Sequence, residues 1–380
     1  MAYLRILIPI AFIFLIPACS TLKKTVTHSV SHLRFIDVYE IPVERTFKET
    51  TIGGLSGIDY DVKKDLYYLV CDDRSDVNPS RFYTARIKFS DKSIDTVIFQ
   101  DVVTLLDKDK RPYPNLQSDP ERRIDPEGIR YNPTAGKLYW SNEGERSMYN
   151  GKMVLSDPAI TIIDRNGQYI DTFILPGNLH VHATENGLRR NGGFEGLSFD
   201  NNYKFLYASV EEPIYEDGPR AGLGDTTGWI RLVKFDSESR RQVAQFAYRI
   251  DAIPYPASPA DAFKLNGVSE ILYIGNDNLL IIERAFSTGR LSCVIKIYLA
   301  DLAGATDVSS VTSLQASGDF KPIAKKLLLN MEDLGKYIDN VEGLTFGPRL
   351  PNGHASLLLV ADDNFSPTQR TQFWLLEVIP

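Results

Sequence analysis

The sequence predicts an all-β fold, a β-propeller of five blades with four strands each. Three observations carry this. A short acidic motif opens a strand five times, about seventy residues apart. A second acidic motif closes the strand that follows. Turn residues cut each interval into strand-length pieces. A repeat of this length, each copy holding a hairpin, specifies a radial array of sheets. A sixth blade within the irregular stretches is the alternative.

The opening motif is clearest at Asp125–Tyr131, Phe194–Phe199 and Asn340–Phe346, with weaker copies at Leu55–Tyr60 and Val268–Leu272. The closing motifs are Asp72-Asp73, Asn142-Glu143, Glu211-Glu212, Glu283-Arg284 and Asp362-Asp363. The predicted strands of blade one are Ser56–Tyr60, Leu66–Cys71, Phe82–Phe89 and Ile94–Phe99. Those of blade two are Glu127–Tyr131, Lys137–Asn142, Ala159–Asp164 and Tyr169–Leu175, with Asn132-Pro133, Asn166-Gly167 and Pro176-Gly177 at the turns. Blade three takes Glu195–Phe199, Phe205–Val210, Ile230–Phe235 and Gln242–Ile250. Blade four takes Glu270–Ile274, Leu279–Glu283, Cys293–Leu299 and Lys325–Leu329.

Blade five supplies only Glu342–Phe346, Ser356–Ala361 and Gln372–Val378. The segment Leu33–Pro42 resembles the outer strand of blade two, so the N-terminal strand is expected to complete the last blade. Closure of this kind removes an exposed edge.

The 380 residues are 43% hydrophobic and 24% charged, ordinary for a globular chain. A formal net charge of −7 argues against nucleic acid as a partner, because phosphate backbones require a basic surface. Oligomeric state is not legible. Arg5 followed by the apolar run Ile6–Ile16 reads as a targeting segment. Ile16-Pro17-Ala18-Cys19 resembles a bacterial lipobox, which implies a signal peptide over 1–18, lipid on Cys19, and export. A plain signal peptide or short anchor is the alternative. Residues 19–32 read as a tether and 33–380 as the propeller domain. The expected location is a membrane-anchored lipoprotein, periplasmic or on the cell surface (such as the outer membrane), touching lipid only through the anchor. Cys71 and Cys293 fall in strand-like runs and read as buried thiols.

An acid opening the first strand of a hairpin lies beside one closing the second. Ser56 to Asp72, Glu127 to Glu143 and Glu195 to Glu211 each span sixteen positions, which fits two strands and a turn. The pair Glu270 and Glu283 is tighter, and Glu342 and Asp362 looser. Glu127, Ile129 and Tyr131 alternate onto one face, as do Glu195, Leu197 and Phe199. Glycines after the acid (Gly128, Gly196, Gly343) suit close backbone approach near an axis. Four glutamates and Ser56 would therefore ring one mouth of the channel, with Asp72, Asp73, Glu143, Glu211, Glu283 and Asp362 just outside. Crowded carboxylates require a cation, protonation or arginine partners. Oxygen-only ligands favour a hard ion, calcium or magnesium, at Glu127, Glu195, Glu270, Glu342, Asp72, Glu283 and Asp362. The plainer alternative is that each acid pins its blade through backbone hydrogen bonds.

Arg74, Arg189, Arg190 and Arg284 lie in connections at the same mouth and suit a phosphate or carboxylate. His180 and His182, the only closely spaced histidines, are candidates for acid–base catalysis, with exposed loop histidines as the alternative. The loop Pro213–Trp229 is a candidate lid. No nucleophile elbow or phosphate-binding Gly-rich loop is present.

The acid-Gly-Ile/Leu strands at Arg123–Glu145, Gly192–Glu212, Gly267–Phe286 and Asn340–Ser366, with Gly53–Tyr60, resemble the phytase-like family, described as an esterase-like activity of phytase. The resemblance covers roughly 33–380. It implies a β-propeller hydrolase acting on phosphate esters with calcium. Glu127, Glu195, Glu270 and Glu342 match the family's acidic strand openings; Glu143, Glu211 and Glu283 match its partner acids. Ser56 departs from the pattern. No lysine-rich cluster suited to phytate is present, which leaves a simpler phosphoester or other small ester as substrate.

The functional expectation is a metal-dependent phosphoester hydrolase with Glu143 or Glu211 as general base. Two alternatives stand beside it. One is a calcium-propeller esterase or lactonase using His180 or His182. The other is a non-catalytic binding module with a structural metal.

Overall fold

The computed structural model describes residues 1, 28–42, 45–224 and 228–380. The targeting segment, Cys19 and most of the tether lie outside them. Short apolar runs punctuated by turn residues build five four-stranded antiparallel sheets around one axis. Blade one is Leu55–Asp61, Leu66–Cys71, Arg81–Phe89 and Ile94–Thr104. Blade two is Pro126–Asn132, Lys137–Asn142, Ala159–Ile163 and Tyr169–Thr172. Blade three is Phe194–Phe199, Phe205–Val210, Trp229–Asp236 and Arg241–Arg249, and blade four is Lys264–Gly275, Asn278–Ser287, Val294–Asp301 and Ala324–Asn330.

Blade five takes Asn340–Phe346, Ala355–Asp362 and Gln372–Ile379 from the C-terminus and His32–Glu40 from the N-terminus. The two ends pair antiparallel, Leu33 opposite Val378 and Glu40 opposite Gln372. The closing strand is the one the sequence predicts. Before it, the His28 ring stacks on Phe346 with centroids 4.1 Å apart, and the Ser31 amide donates to Ile379 O. Among the described residues the helical content is three short 3-10 turns.

The apolar cores lie between neighbouring sheets. Ile129, Tyr131 and Trp140 of blade two pack with Tyr68 and Val70 of blade one, and Trp374 and Leu359 of blade five pack with Ile282 and Ile295 of blade four. Cys71 and Cys293 are buried, unpaired thiols in different clusters.

The first two strands of every blade slip register at the same place. The breaks fall at Leu55/Gly57, Pro126/Ile129, Phe194/Leu197, Val268/Glu270 and Val341/Gly343. Ser56, Glu127, Glu195, Ser269 and Glu342 stand at these bulges. A bulge re-aims a side chain and often borders a functional site. The alternation expected from sequence breaks here: Ile129 and Tyr131 enter the core, while Glu127 looks into the central cavity.

The same registers give Asp72, Glu143, Glu211, Arg284 and Asp362 as equivalents, each following the residue paired just before the bulge. Blade four thus carries Ser269 and Arg284 where three other blades carry two acids. Two expectations are corrected. Glu270 occupies the glycine position, not the acidic one, and Glu283 lies one residue short of the partner position.

Around the axis, glycines let adjacent inner strands touch. A Cβ on Gly128 would sit 2.7 Å from Glu195 O, and one on Gly196 2.6 Å from Ile271 N and 2.7 Å from Glu270 Cα. Backbone atoms cannot swing aside. Gly196→Ala should therefore lower unfolding stability by about 1–3 kcal/mol, the usual cost of overpacking, in a denaturant titration.

Arg130 plugs the channel. Its guanidinium donates to Leu197 O (2.5 Å), Ile58 O (2.6 Å), Ile271 O (3.0 Å), Leu344 O (3.1 Å) and its neighbour Ile129 O (3.2 Å). These are the equivalent carbonyls of all five blades. Glu270 Oε2 pairs with Arg130 Nη2 at 2.8 Å, and Glu270 Oε1 accepts from Leu197 N and Ile271 N.

Candidate functional site

Above this plug opens a cavity of about 1320 Å³. Its floor is built by the bulges and by the ends of the second strands. Asp72, Glu127, Glu143, Glu195, Glu211 and Glu342 line it. The backbone sets the partner acids in register: the amides of Asp72, Glu143 and Glu211 donate to Gly54 O, Asp125 O and Gly193 O at 2.8, 3.0 and 2.9 Å. All six residues were expected at this mouth, and closure of the ring brings them together.

Two tight groups stand out, Asp125–Glu127–Glu143 and Glu143–Glu195–Glu211, each with carboxylate oxygens within 4.8 Å of one another. Ser56 Oγ donates to Glu127 Oε2 at 2.7 Å, so the serine of blade one supports the ring from beneath. Asp125 was not among the sequence candidates, although it opens the strongest motif; its Asp-Pro-Glu spacing was the available signal. Asp362 is buried behind, and its first charged neighbour is Glu342.

The floor is far from neutral. Asp72, Asp125, Glu127, Glu143, Glu195, Glu211, Glu342 and Asp362 form one electrostatic network, in which Arg74 and Arg284 are the guanidiniums paired to its acids. Arg74 pairs with Asp125. Arg284 Nη2 lies 2.6 Å from Glu211 Oε1 and 3.5 Å from Glu342 Oε1. Burial, then repulsion from neighbouring acids, pushes Glu127, Glu143 and Glu195 well above the usual carboxylate range. Glu342 is pushed up to about 7 by burial, against the pull of Arg284. Glu211 is raised by burial, but Arg284 and Arg220 draw it back. Glu195 Oε2 is buried and accepts no hydrogen bond.

This donor set suits a hard cation. The oxygens of one calcium shell, at 2.3–2.6 Å from the ion, lie within about 5 Å of each other, and both groups meet that limit. Once the two acids paired with arginine are set aside, Glu127, Glu143 and Glu195 are the ones left without a guanidinium ion pair among the described residues.

The remaining candidates sit elsewhere. Glu270 is buried in the channel with Arg130. Glu283 turns away from the cavity to Tyr248 Oη (2.7 Å), Asn266 Nδ2 (2.9 Å) and Lys325 Nζ (2.5 Å). Asp73 accepts from Arg81 Nη1 at 2.7 Å and caps the loop at Asp76–Asn78. Arg189 stacks on Tyr215 and donates to Pro213 O and Gly218 O beside a separate small pocket. His180 is exposed, with Nδ1 2.7 Å from Asp157 Oδ2, and neither it nor His182 lines the cavity. The segment after Pro213 is anchored by Asp217, whose buried carboxylate meets Arg231 at 2.5 and 3.0 Å.

The rim carries arginines. Arg220, Arg290 and Arg370 are held by Glu212, Glu332 and Glu40. Arg190 lines the cavity, and its guanidinium has no hydrogen-bond or ion-pair partner among the described residues.

No curated protein is significantly similar to this chain. Several solved structures are similar in shape. An exo-β-1,3-galactanase from Phanerochaete chrysosporium is 11% identical, with 90% of this chain and 64% of that chain covered and a TM-score of 0.46; this chain thus spans just under two thirds of its length. A thermostable family-43 glycoside hydrolase is 12% identical over 88% of this chain and 91% of that chain, at a TM-score of 0.47. An α-L-arabinofuranosidase from Lactobacillus brevis is 11% identical over 85% and 91%, at 0.45. The sequence itself matches one family over residues 50–365, most of the propeller. With that match and the five-bladed ring in place, the chain belongs to the phytase-like family, described by an esterase-like activity of phytase.

Proposed function

We propose that the protein is an extracytoplasmic, metal-dependent hydrolase of phosphoesters, anchored to a membrane through Cys19. The observation that carries this reading is the buried carboxylate floor, with the unpartnered Glu195 Oε2 at the base of an open cavity. Glu127, Glu143 and Glu195 would hold the cation, calcium by donor chemistry. A bound divalent cation polarises a phosphoryl oxygen and offsets charge as it develops.

The chain's own residues supply the rest. Glu211 is the floor acid that two guanidiniums, Arg284 and Arg220, draw back against burial, and it is the proton acceptor in this reading. In hydrolysis, the oxygen of water bonds to phosphorus, its proton passes to Glu211, the ester P–O bond breaks, and the leaving oxygen takes up a proton to depart as the alcohol. Arg190, free on the rim, orients the anion. Arg74 holds Asp125 in place. With His180 and His182 outside the cavity, the histidine-dependent lactonase reading has no geometric support.

Metal analysis of the purified protein, with phosphoester and carboxyester assays before and after chelation, tests this. Wild type should retain a divalent cation. Glu195→Gln should lose most of it, and Glu211→Gln should keep it while hydrolysing at least about 100-fold more slowly, the scale of a lost general base. Undiminished hydrolysis after chelation and in Glu211→Gln would overturn the reading.

A further inference from the structure

The cavity is lopsided. Acids line it on blades one, two, three and five, whereas blade four presents Ser269 and Arg284 at the equivalent positions. Over this same sector the wall carries large apolar side chains alongside Lys264 and Arg290. Phe263 and Leu265 line the cavity from the entry to blade four, Phe286 from the end of its second strand and Leu291 from the turn that follows. Phe263 and Leu291 are 60% and 90% exposed, and the rings of Phe263 and Phe286 lie 6.2 Å apart. Large apolar side chains left in water beside a charged floor mark a surface that something else covers. The volume also exceeds what a bare phosphate requires, since pockets of about 300–1,000 Å³ already hold drug-sized ligands.

We infer that the substrate is amphiphilic: its phosphoryl group sits over Glu127, Glu143 and Glu195 within reach of Arg190, and the alkyl or aryl group of its alcohol lies against Phe263, Phe286 and Leu291. This rests on the phosphoesterase reading above. The apolar wall stands beside the reaction centre, on the sector where the bulge position and its partner carry no carboxylate. A compact, fully hydrated alcohol such as an inositol gains nothing from that wall. An alkyl or phenyl alcohol removes its own surface and that of the wall from water together.

The test is a homologous series, methyl to hexyl phosphate with phenyl phosphate, assayed for kcat/KM. The same series of alkylphosphonates, which cannot be hydrolysed, is assayed for binding by calorimetry. Both quantities should rise with chain length, by up to about fourfold per methylene, the factor given by ~0.8 kcal/mol per buried CH₂. Phe263→Ser and Leu291→Ser, at exposed positions, should flatten that rise. A flat series, or a rise that survives both substitutions, overturns the inference. The phosphonate series separates the two readings. Chain-length-dependent binding without turnover of any ester supports the apolar subsite and sinks the hydrolase. Turnover without chain-length dependence does the reverse.

Discussion

Arg130→Met will unfold at markedly lower denaturant than wild type, with a loss of at least about 3–5 kcal/mol, the cost of leaving one member of a buried ion pair alone. Arg130 is among the most buried residues, at 2% exposure. Its guanidinium satisfies carbonyls from all five blades and the Glu270 carboxylate at once. Removing it strands a carboxylate and a ring of acceptors where water has little room, and each stranded acceptor adds a desolvation cost. Arg130→Lys keeps the charge but gathers its three donors on one nitrogen in place of the planar fork, so it should fall between the two.

Glu270 makes the effect depend on pH. Burial raises it to about 7 even beside Arg130. A folded-state value above the unfolded one means stability present at low pH and lost as pH rises. The defect in Arg130→Met should therefore be smaller at pH 5 than at pH 8, and Glu270→Gln in the same chain should recover part of it. An Arg130→Met protein as stable as wild type at pH 8 would show that the plug is dispensable.

Nothing in the local sequence around Arg130 announces this role. A lone arginine in an apolar inner strand signals only that it must be buried with partners; that the partners are one carbonyl per blade follows from closure. The ring itself was legible, because five acidic motifs at a common period and an orphan N-terminal strand leave few other solutions. Acid-to-acid counting failed only in blade four. The bulge adds a residue just where the acid stands, so the surviving acid, Glu270, was matched to the wrong position. A better ruler was present. The aromatic that ends each inner strand follows four residues after Ser56, Glu127, Glu195 and Glu342, as Tyr60, Tyr131, Phe199 and Phe346. In blade four the residue four before Tyr273 is Ser269. The hairpin Glu145–Tyr149 with Lys152–Ser156, between the second and third strands of blade two, was also missed, since its strands carry no repeat signature.

The cation should matter most at alkaline pH. In chelator, the protein is expected to lose stability steadily from pH 5 to 8.5; with saturating calcium the loss should largely disappear. The floor acids are raised by burial first and by mutual repulsion second, so the folded chain binds more protons than the unfolded chain over this window. Unfolded carboxyls titrate near 4, while Glu342 holds its proton to about 7 and Glu212, buried beside Glu211, to about 8. Stability is thus complete below about pH 4 and falls as pH rises through the folded values. Glu342 alone accounts for roughly 3 kcal/mol at about 1.4 kcal/mol per pKa unit. A divalent cation takes the place of those protons, so its binding must release protons and tighten with pH. Thermal melts across pH 5–8.5, with calcium or chelator, measure both effects, and calorimetry in buffers of different ionisation enthalpy counts the protons. A chelated protein whose melting temperature is level or rises over this range, or a calcium effect as large at pH 5 as at pH 8.5, would mean that the floor balances its charge by itself, and the metal would lose its physical basis.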